Sequence, residues 1–217
     1  MSGPPVGDAR PRLTFRRLSG LDRAGPPPPE TLPGAPWRPW TIPNAIGFVR
    51  LSLVPLFLAI ALTSEDGTDP LPAILFAVIA WGDYADGIAA RVTGQYSRLG
   101  ALLDPVVDRL LAIAGGLVCW HFELLPRVAL ALLVARELFT LVAGRYALKR
   151  GAELKINWWG RLAVTPVMAA LFAGLVGWET VGAILIWIGL AMALLATFEY
   201  GREVRRQLAR GAPSTSA

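Results

Sequence analysis

The chain has 217 residues, of which 54% are hydrophobic, and its formal net charge is +5. This apolar fraction exceeds that of an ordinary soluble domain and predicts a protein whose solvent is the lipid bilayer. The positive charge alone would suit a nucleic-acid-binding protein, but here the basic residues alternate with apolar runs instead of forming one patch. The sequence therefore argues against nucleic acid as a partner.

Residues 1–40 precede the first apolar run and are rich in Pro, Gly and Arg, with four consecutive prolines at 26–29. The stretch 1–35 has no apolar segment typical of a secretory signal peptide. It also has too few apolar residues to build a core. We predict a disordered cytoplasmic tail over 1–40 and a second disordered tail over 208–217.

Six apolar runs follow, each about the length that a helix needs to cross the hydrocarbon core, roughly twenty residues. They predict an all-α integral membrane domain over residues 41–207 with six transmembrane helices. The runs lie near 44–62, 71–92, 97–120, 126–149, 158–177 and 180–200.

The basic residues alternate between the two ends of these runs. Arginines are frequent before the first run, whereas the connection after it contains Glu65, Asp66 and Asp69 and neither Lys nor Arg. Basic residues return after the second, fourth and sixth runs, and are sparse or absent in the other connections. Because cytoplasmic connections are enriched in Lys and Arg, the alternation predicts a multi-pass protein of the inner or plasma membrane with both termini in the cytoplasm.

Four aspartates lie inside the second and third runs, where a carboxylate is costly unless it faces a cavity, a partner or a metal. Asp83 and Asp86 are three residues apart. Asp104 and Asp108 are four apart, so each pair lies on one face of its helix. The short polar connection over 93–98 predicts an antiparallel helical hairpin, which would place all four carboxylates at one depth on the cytoplasmic side.

Four converging carboxylates repel one another unless a cation lies among them. Hard divalent ions take carboxylate oxygens and commonly bridge to phosphate, so the cluster predicts a site for Mg²⁺ or Mn²⁺. One alternative is a set of structural ion pairs with Arg91 and Arg109, although two arginines cannot neutralise four acids. A second alternative is the ion pathway of a cation-coupled transporter, which also uses carboxylates inside the membrane.

The residues around the aspartates resemble a known motif. The sequence reads Asp83-x-x-Asp86-Gly87-x-x-Ala90-Arg91, then eight residues, then Gly100-x-x-x-Asp104-x-x-x-Asp108. This matches the pattern of the CDP-alcohol phosphatidyltransferases at every fixed position, and the six apolar runs are similar to the layout of that family. The resemblance covers about residues 41–205.

The resemblance implies an enzyme of phospholipid biosynthesis that transfers a phosphatidyl group from CDP-diacylglycerol to an alcohol and releases CMP. It implies two divalent ions, Mg²⁺ or Mn²⁺, and a homodimer. The implied metal ligands are Asp83, Asp86, Asp104 and Asp108, with Asp108 also the general base. The implied CDP-diacylglycerol-binding residues are Asn44, Gly87, Arg91 and Ser97. Gly47 departs from the family, which has a hydroxyl residue three positions after the asparagine.

The segments Ala135-Arg136-Glu137 and Trp158-Trp159-Gly160-Arg161 are similar to those of phosphatidylglycerolphosphate synthases, which use glycerol 3-phosphate. They imply glycerol 3-phosphate as the acceptor and phosphatidylglycerol phosphate as the product. The acceptor phosphate would be bound by Arg136, Lys155 and Arg161. Because fewer cations follow Gly160 than in that branch, a cardiolipin synthase that uses phosphatidylglycerol stays open, as does an inositol phosphate acceptor.

Structural explanations of these basic residues also stay open. Arg136 and Glu137 are equally typical of an ion pair inside the membrane. Lys155 and Arg161 are equally typical of basic residues that only mark the cytoplasmic side. Arg50, in the first run, either contacts a lipid phosphate or extends to the membrane surface as an anchor.

Overall fold

A computed structural model of the protein describes residues 36–149 and 158–211. All regular structure in these two ranges is helical, which confirms the predicted all-α class for this part of the chain. The helices are α1 (Ile42–Ala61), α2 (Pro70–Thr93), α3 (Arg98–His121), α4 (Arg127–Lys149), α5 (Trp158–Leu175) and α6 (Glu179–Gly211). Their bounds follow the predicted runs closely except that α6 continues past the predicted end at 200. The predicted tails lie outside the described residues over 1–35 and 212–217.

Local capping signals place the ends of the first three helices. Thr41 precedes α1, and its Oγ1 accepts a hydrogen bond from the backbone N–H of Asn44 at 3.3 Å. Ser97 precedes α3 and accepts from the backbone N–H of Gly100 at 2.9 Å in the same way. Gly94, after α2, has a φ of +66°, a left-handed conformation that ends many helices. The polar turn between α2 and α3 is thus fixed by its own residues.

Within residues 36–149 and 158–211, three helical segments are long and apolar enough to cross a membrane by length and composition: α1, α2, and Glu179–Glu199 within α6. Large apolar side chains are exposed along the helices, among them Trp81, Val142 and Phe198. An apolar outer surface is what a protein surrounded by lipid presents, because lipid tails replace water as its neighbour. The protein is therefore suited to a membrane, and the count of six spans stays a prediction.

The chain forms two compact units. Among the described residues, the first comprises 36–53 together with Val78–Arg109, and the second comprises Val54–Ala77 together with 110–149 and 158–211. All four aspartates of the motif belong to the first unit, as do Asn44, Gly87, Arg91 and Ser97. Arg136 and Arg161 belong to the second.

Glycines permit close helix packing inside each unit, as small residues do in membrane helices. In the first unit, a Cβ on Gly47 would lie 2.6 Å from Leu103 Cδ2, so α1 and α3 approach closely at this point. In the second unit, a Cβ on Gly189 of α6 would lie 3.2 Å from the backbone nitrogen of Val167 on α5. The residue that departs from the family motif, Gly47, therefore has a packing role.

Candidate active site

Three of the four aspartates of the motif lie around the guanidinium of Arg50 on α1. Its Nη1 donates to Asp86 Oδ2 at 2.8 Å, and its Nη2 donates to Asp108 Oδ1 at 2.8 Å. Nη1 also lies 3.7 Å from Asp83 Oδ1. Because Asp86 is on α2 and Asp108 is on α3, a single guanidinium joins the acidic faces of both helices.

Arg50 is held in place along its whole length. The residue is only 2% exposed, and its Nε donates to the backbone carbonyl of Ile79 at 2.9 Å. Its aliphatic stem crosses α2 at Gly82, where a Cβ would lie 2.6 Å from Arg50 Cδ and 2.8 Å from Cγ. An alanine at this position would therefore occupy the space that the stem needs.

The four aspartates differ in their access to the surroundings. The side chain of Asp86 is 4% exposed, that of Asp108 is 37% exposed and that of Asp83 is 51% exposed. Asp104 is of intermediate exposure and lies one helix turn before Asp108 on α3. The two pairs predicted from sequence spacing therefore lie near one another, with Asp86 innermost and with Asp83 and Asp108 reachable from outside.

Gly87 and Arg91 lie side by side on α2. The Arg91 guanidinium folds back along the helix, so that its Nη1 and Nη2 are 3.3 Å and 3.4 Å from where a Cβ on Gly87 would be. Residues four apart on a helix are neighbours, and the missing side chain leaves room for the guanidinium. The motif thus brings a cation to the helix turn that follows Asp86.

Asn44 and Ser97 form a buried clasp between the start of α1 and the start of α3. Ser97 Oγ donates to Asn44 Oδ1 at 2.9 Å. Asn44 Nδ2 donates to the carbonyls of Arg38 at 2.9 Å and Pro39 at 3.2 Å. A Cβ on Gly100 would lie 2.7 Å from Asn44 Oδ1, so this glycine makes room for the clasp. The polar atoms of Asn44 are committed to internal contacts that fix the two helix ends together.

Of the predicted acceptor residues, the structure describes the side chain of Arg136 alone. Its Nε donates to Thr197 Oγ1 at 2.8 Å, which links α4 to α6, and its Nη1 is 2.7 Å from Glu137 Oε2. Lys155 lies outside the described residues, and only the helical backbone of Arg161 is described. Arg136 therefore forms the internal ion pair that the sequence left open as an alternative.

The role predicted for Arg50 was wrong. It was expected to contact a lipid phosphate or to extend to the membrane surface, and the counter-cations considered for the aspartates were Arg91 and Arg109. Arg50 is instead buried and paired with Asp86 and Asp108. The signal was present in the sequence, because a charge inside an apolar run needs a partner as much as the carboxylates do.

The four aspartate side chains are chemically suited to bind a divalent cation, since carboxylate oxygens are the ligands that Mg²⁺ and Mn²⁺ prefer. Three of the carboxylates already lie within 3.7 Å of a single cationic group. Within residues 36–149 and 158–211, no three acidic, His or Cys side chains are grouped closely enough to hold a metal ion by themselves. The convergence point of the acids is the Arg50 guanidinium.

Comparison with known proteins agrees with the motif. The family model described as CDP-alcohol phosphatidyltransferase matches residues 40–195. A protein of Streptomyces coelicolor named cardiolipin synthase (CMP-forming) is 36% identical over 61% of this chain and 64% of its own length. A protein of Shigella flexneri named CDP-diacylglycerol–glycerol-3-phosphate 3-phosphatidyltransferase is 29% identical over 78% of this chain and 97% of its own length.

Proteins of Mycobacterium bovis and Mycobacterium tuberculosis are also similar, at 33% identity over 66% of this chain. The matched region spans 65% of the length of the mycobacterial proteins, which is less than two thirds. The same holds for the Streptomyces protein, whereas the Shigella protein is matched over almost its whole length. Relatives with two different enzyme names thus match the same chain.

The clasp makes a prediction about stability. Replacing Asn44 by alanine leaves the buried Ser97 hydroxyl without its acceptor and removes the side-chain donor to the Arg38 carbonyl, so the unfolding free energy should fall by about 1–3 kcal/mol. Ser97→Ala should also destabilise, and the double variant should lose less than the sum of the two because the bond is shared. Denaturant unfolding in detergent micelles measures these changes. Ser52→Ala, at an exposed hydroxyl of α1, is the control, and strictly additive losses would contradict the clasp.

Proposed function

We propose that this chain, which belongs to the CDP-alcohol phosphatidyltransferase family, transfers a phosphatidyl group from CDP-diacylglycerol to an alcohol and releases CMP in phospholipid biosynthesis. The observation that carries the proposal is the convergence of three motif aspartates from two helices around one buried cation. A cluster of this kind inside an apolar protein is costly and is typical of a functional site. The names of the matched relatives support the same reaction class.

The acid cluster is proposed to bind two divalent ions, Mg²⁺ or Mn²⁺, through Asp83, Asp86, Asp104 and Asp108. Bound ions of this type neutralise the diphosphate of the donor and stabilise the charge that develops on the departing CMP. The side chains of Asp83 and Asp108 are partly exposed, whereas Asp86 is buried and is bonded to Arg50. The carboxylates therefore offer oxygens to a ligand while the protein fixes their other side.

Asp108 is proposed as the general base. One of its oxygens accepts from Arg50 Nη2, which orients the carboxylate, and more than a third of its side chain is exposed. An acceptor hydroxyl is a weak nucleophile until its proton is removed, and Asp108 would take this proton in the transition state. The hydroxyl oxygen then forms the new bond to the phosphorus that carries the diacylglycerol, and the bond from that phosphorus to CMP breaks.

The donor nucleotide is proposed to lie against Gly87 and Arg91. The missing side chain at Gly87 gives access to the backbone of α2, and the guanidinium beside it suits a diphosphate oxygen. Asn44 and Ser97 are proposed to shape the same end of the site, a role supported by the internal clasp that fixes the starts of α1 and α3.

Glycerol 3-phosphate is the proposed acceptor, with Arg136, Lys155 and Arg161 binding its phosphate. The two sequence segments that carry these residues and the almost full-length match to the Shigella protein support it. Phosphatidylglycerol is the second candidate. It is favoured by the higher identity to the Streptomyces protein and by the pairing of Arg136 with Glu137 and Thr197, because a phosphodiester acceptor needs no pocket for a doubly charged phosphate.

The six helices are proposed to be six spans of one membrane domain over residues 41–207, with both termini and the active site on the cytoplasmic side. The alternation of basic residues between the ends of the apolar runs supports this orientation. The family resemblance also supports a homodimer, which sedimentation in detergent would test.

An acceptor screen tests the reaction. Purified protein with CDP-diacylglycerol and Mg²⁺ or Mn²⁺ should release CMP when glycerol 3-phosphate is added, and EDTA should abolish the release. CMP release with phosphatidylglycerol and not with glycerol 3-phosphate would identify the second candidate as the acceptor. Failure of every alcohol, including inositol phosphate, would overturn the enzyme proposal, and ion flux into protein-loaded liposomes would then support a cation-coupled transporter.

Asp108→Asn tests the general base. The amide keeps the shape of the side chain and can still meet Arg50, but it cannot take a proton, so turnover should fall by about 10²–10⁴-fold. Binding of CDP-diacylglycerol should remain within a few-fold of the parent protein. The matched control is Glu123→Gln, the same chemical change at an exposed residue that pairs with Arg127. Turnover that survives in Asp108→Asn would remove Asp108 from this role.

Cysteine labelling tests the orientation. The single native Cys119 is buried and is replaced by alanine in the background. A cysteine at Glu65, in the acidic connection after α1, should react with a membrane-impermeant maleimide in intact cells. A cysteine at Ser214, near the C-terminus, should react only after the cells are permeabilised. The reverse pattern would contradict cytoplasmic termini.

A further inference from the structure

The acidic cluster contains a cationic side chain of the protein itself, that of Arg50. Arg50 belongs to α1, outside the motif of α2 and α3, yet it donates to both Asp86 and Asp108 and lies near Asp83. Ion pairs this deeply buried are strongly destabilised when one partner is removed, because the other charge is left without compensation. Asp86, Asp108 and Arg50 therefore depend on one another.

The geometry of the guanidinium suits a bridge. Its planar fork presents separate nitrogens to two carboxylates, and the third nitrogen donates to the carbonyl of Ile79. A lysine would offer one charged nitrogen in place of this fork. With all three nitrogens engaged and the residue 2% exposed, Arg50 acts on the aspartates and is screened from an external ligand.

The position of the Arg50 side chain depends on the absence of a side chain at Gly82. Gly82 directly precedes Asp83 in the sequence, and its missing side chain is the gap through which the Arg50 stem passes. The stem atoms Cδ and Cγ lie 2.6 Å and 2.8 Å from where a Cβ would be, closer than real Cβ contacts come. Arg50 and Gly82 are thus a matched pair on α1 and α2.

We propose that Arg50 is a positioning residue that holds Asp86 and Asp108 together when no divalent ion is bound, and that it opposes divalent binding at the same carboxylates. This proposal rests on the proposed function, because the proposed reaction requires the divalent ion. The physical reason is Coulombic. A positive charge held 2.8 Å from two prospective ligand atoms stabilises the empty cluster and lowers its affinity for a second cation.

The test compares unfolding with and without metal. In Arg50→Met the apolar side chain keeps much of the volume but the carboxylates lose their partner, so the Tm in EDTA should fall by roughly 5–10 °C. Adding Mn²⁺ should restore most of this loss, so that the Mn²⁺-dependent rise in Tm is at least twofold larger than in the parent protein. The Kd for Mn²⁺, measured by electron paramagnetic resonance, should fall about tenfold or more, since tighter binding and larger stabilisation are linked.

Two further variants keep the test decisive if Arg50→Met fails to fold. Gly82→Ala leaves every charged residue in place but displaces the Arg50 stem, and should show the same changes in smaller size. Gly116→Ala is its matched control, because a Cβ there meets no atom within 4 Å. Arg50→Lys retains the charge without the fork and should fall between Arg50→Met and the parent protein.

The outcomes separate this proposal from the proposed function. Equal losses of Tm with and without Mn²⁺ in Arg50→Met would show a structural role alone and overturn the proposal. So would an unchanged Kd for Mn²⁺ with a raised KM for CDP-diacylglycerol, which would make Arg50 a substrate ligand. A parent protein that binds Mn²⁺ and responds as expected to these changes, but releases no CMP with any alcohol, would overturn the proposed reaction and leave this inference standing.

Discussion

The compensation of buried charge is the constraint on which the first unit depends. Carboxylates placed in an apolar helix hairpin cannot be solvated by lipid, and unpaired they would repel one another or become protonated. The structure meets this constraint with Arg50, which bonds Asp86 and Asp108 and lies near Asp83. Arg50 thus supplies a buried positive charge to carboxylates of both α2 and α3.

This solution requires close packing of three helices. Gly82 admits the Arg50 stem to α2, Gly47 lets α1 approach Leu103 on α3, and Gly100 makes room for Asn44. Small residues permit such approach in membrane proteins because side chains no longer separate the helix backbones. The glycines of the first unit therefore place the charged groups, while the aspartates supply the chemistry. A substitution at Gly82 would disturb the acidic cluster without altering any of its charged residues.

The parts of the structure that could be predicted from sequence are those with local signals. Apolar runs gave the helices, Gly94 and Ser97 mark the turn between α2 and α3, and the spacing of the aspartates gave two acidic helix faces. Arg50 could not be placed in this way, since its partners Asp86 and Asp108 are 36 and 58 residues away. No local pattern specifies which charges meet across helices. The bond from Ser97 to Asn44 was missed for the same reason, because the two residues are 53 apart in the chain.

The same distinction explains why the donor half of the reaction is easier to infer than the acceptor. The donor motif combines eight fixed positions with a charge arrangement that its own unit supports. The acceptor inference rests on Arg136, whose guanidinium already pairs with Glu137 and Thr197. An acceptor phosphate that displaced Glu137 would leave a partly buried carboxylate without its partner, at a cost that reduces the gain from the new contact. The neutral hydroxyl of a lipid phosphodiester would not need to displace Glu137 from Arg136. The pairing of Arg136 is therefore more informative about the acceptor than the motif is.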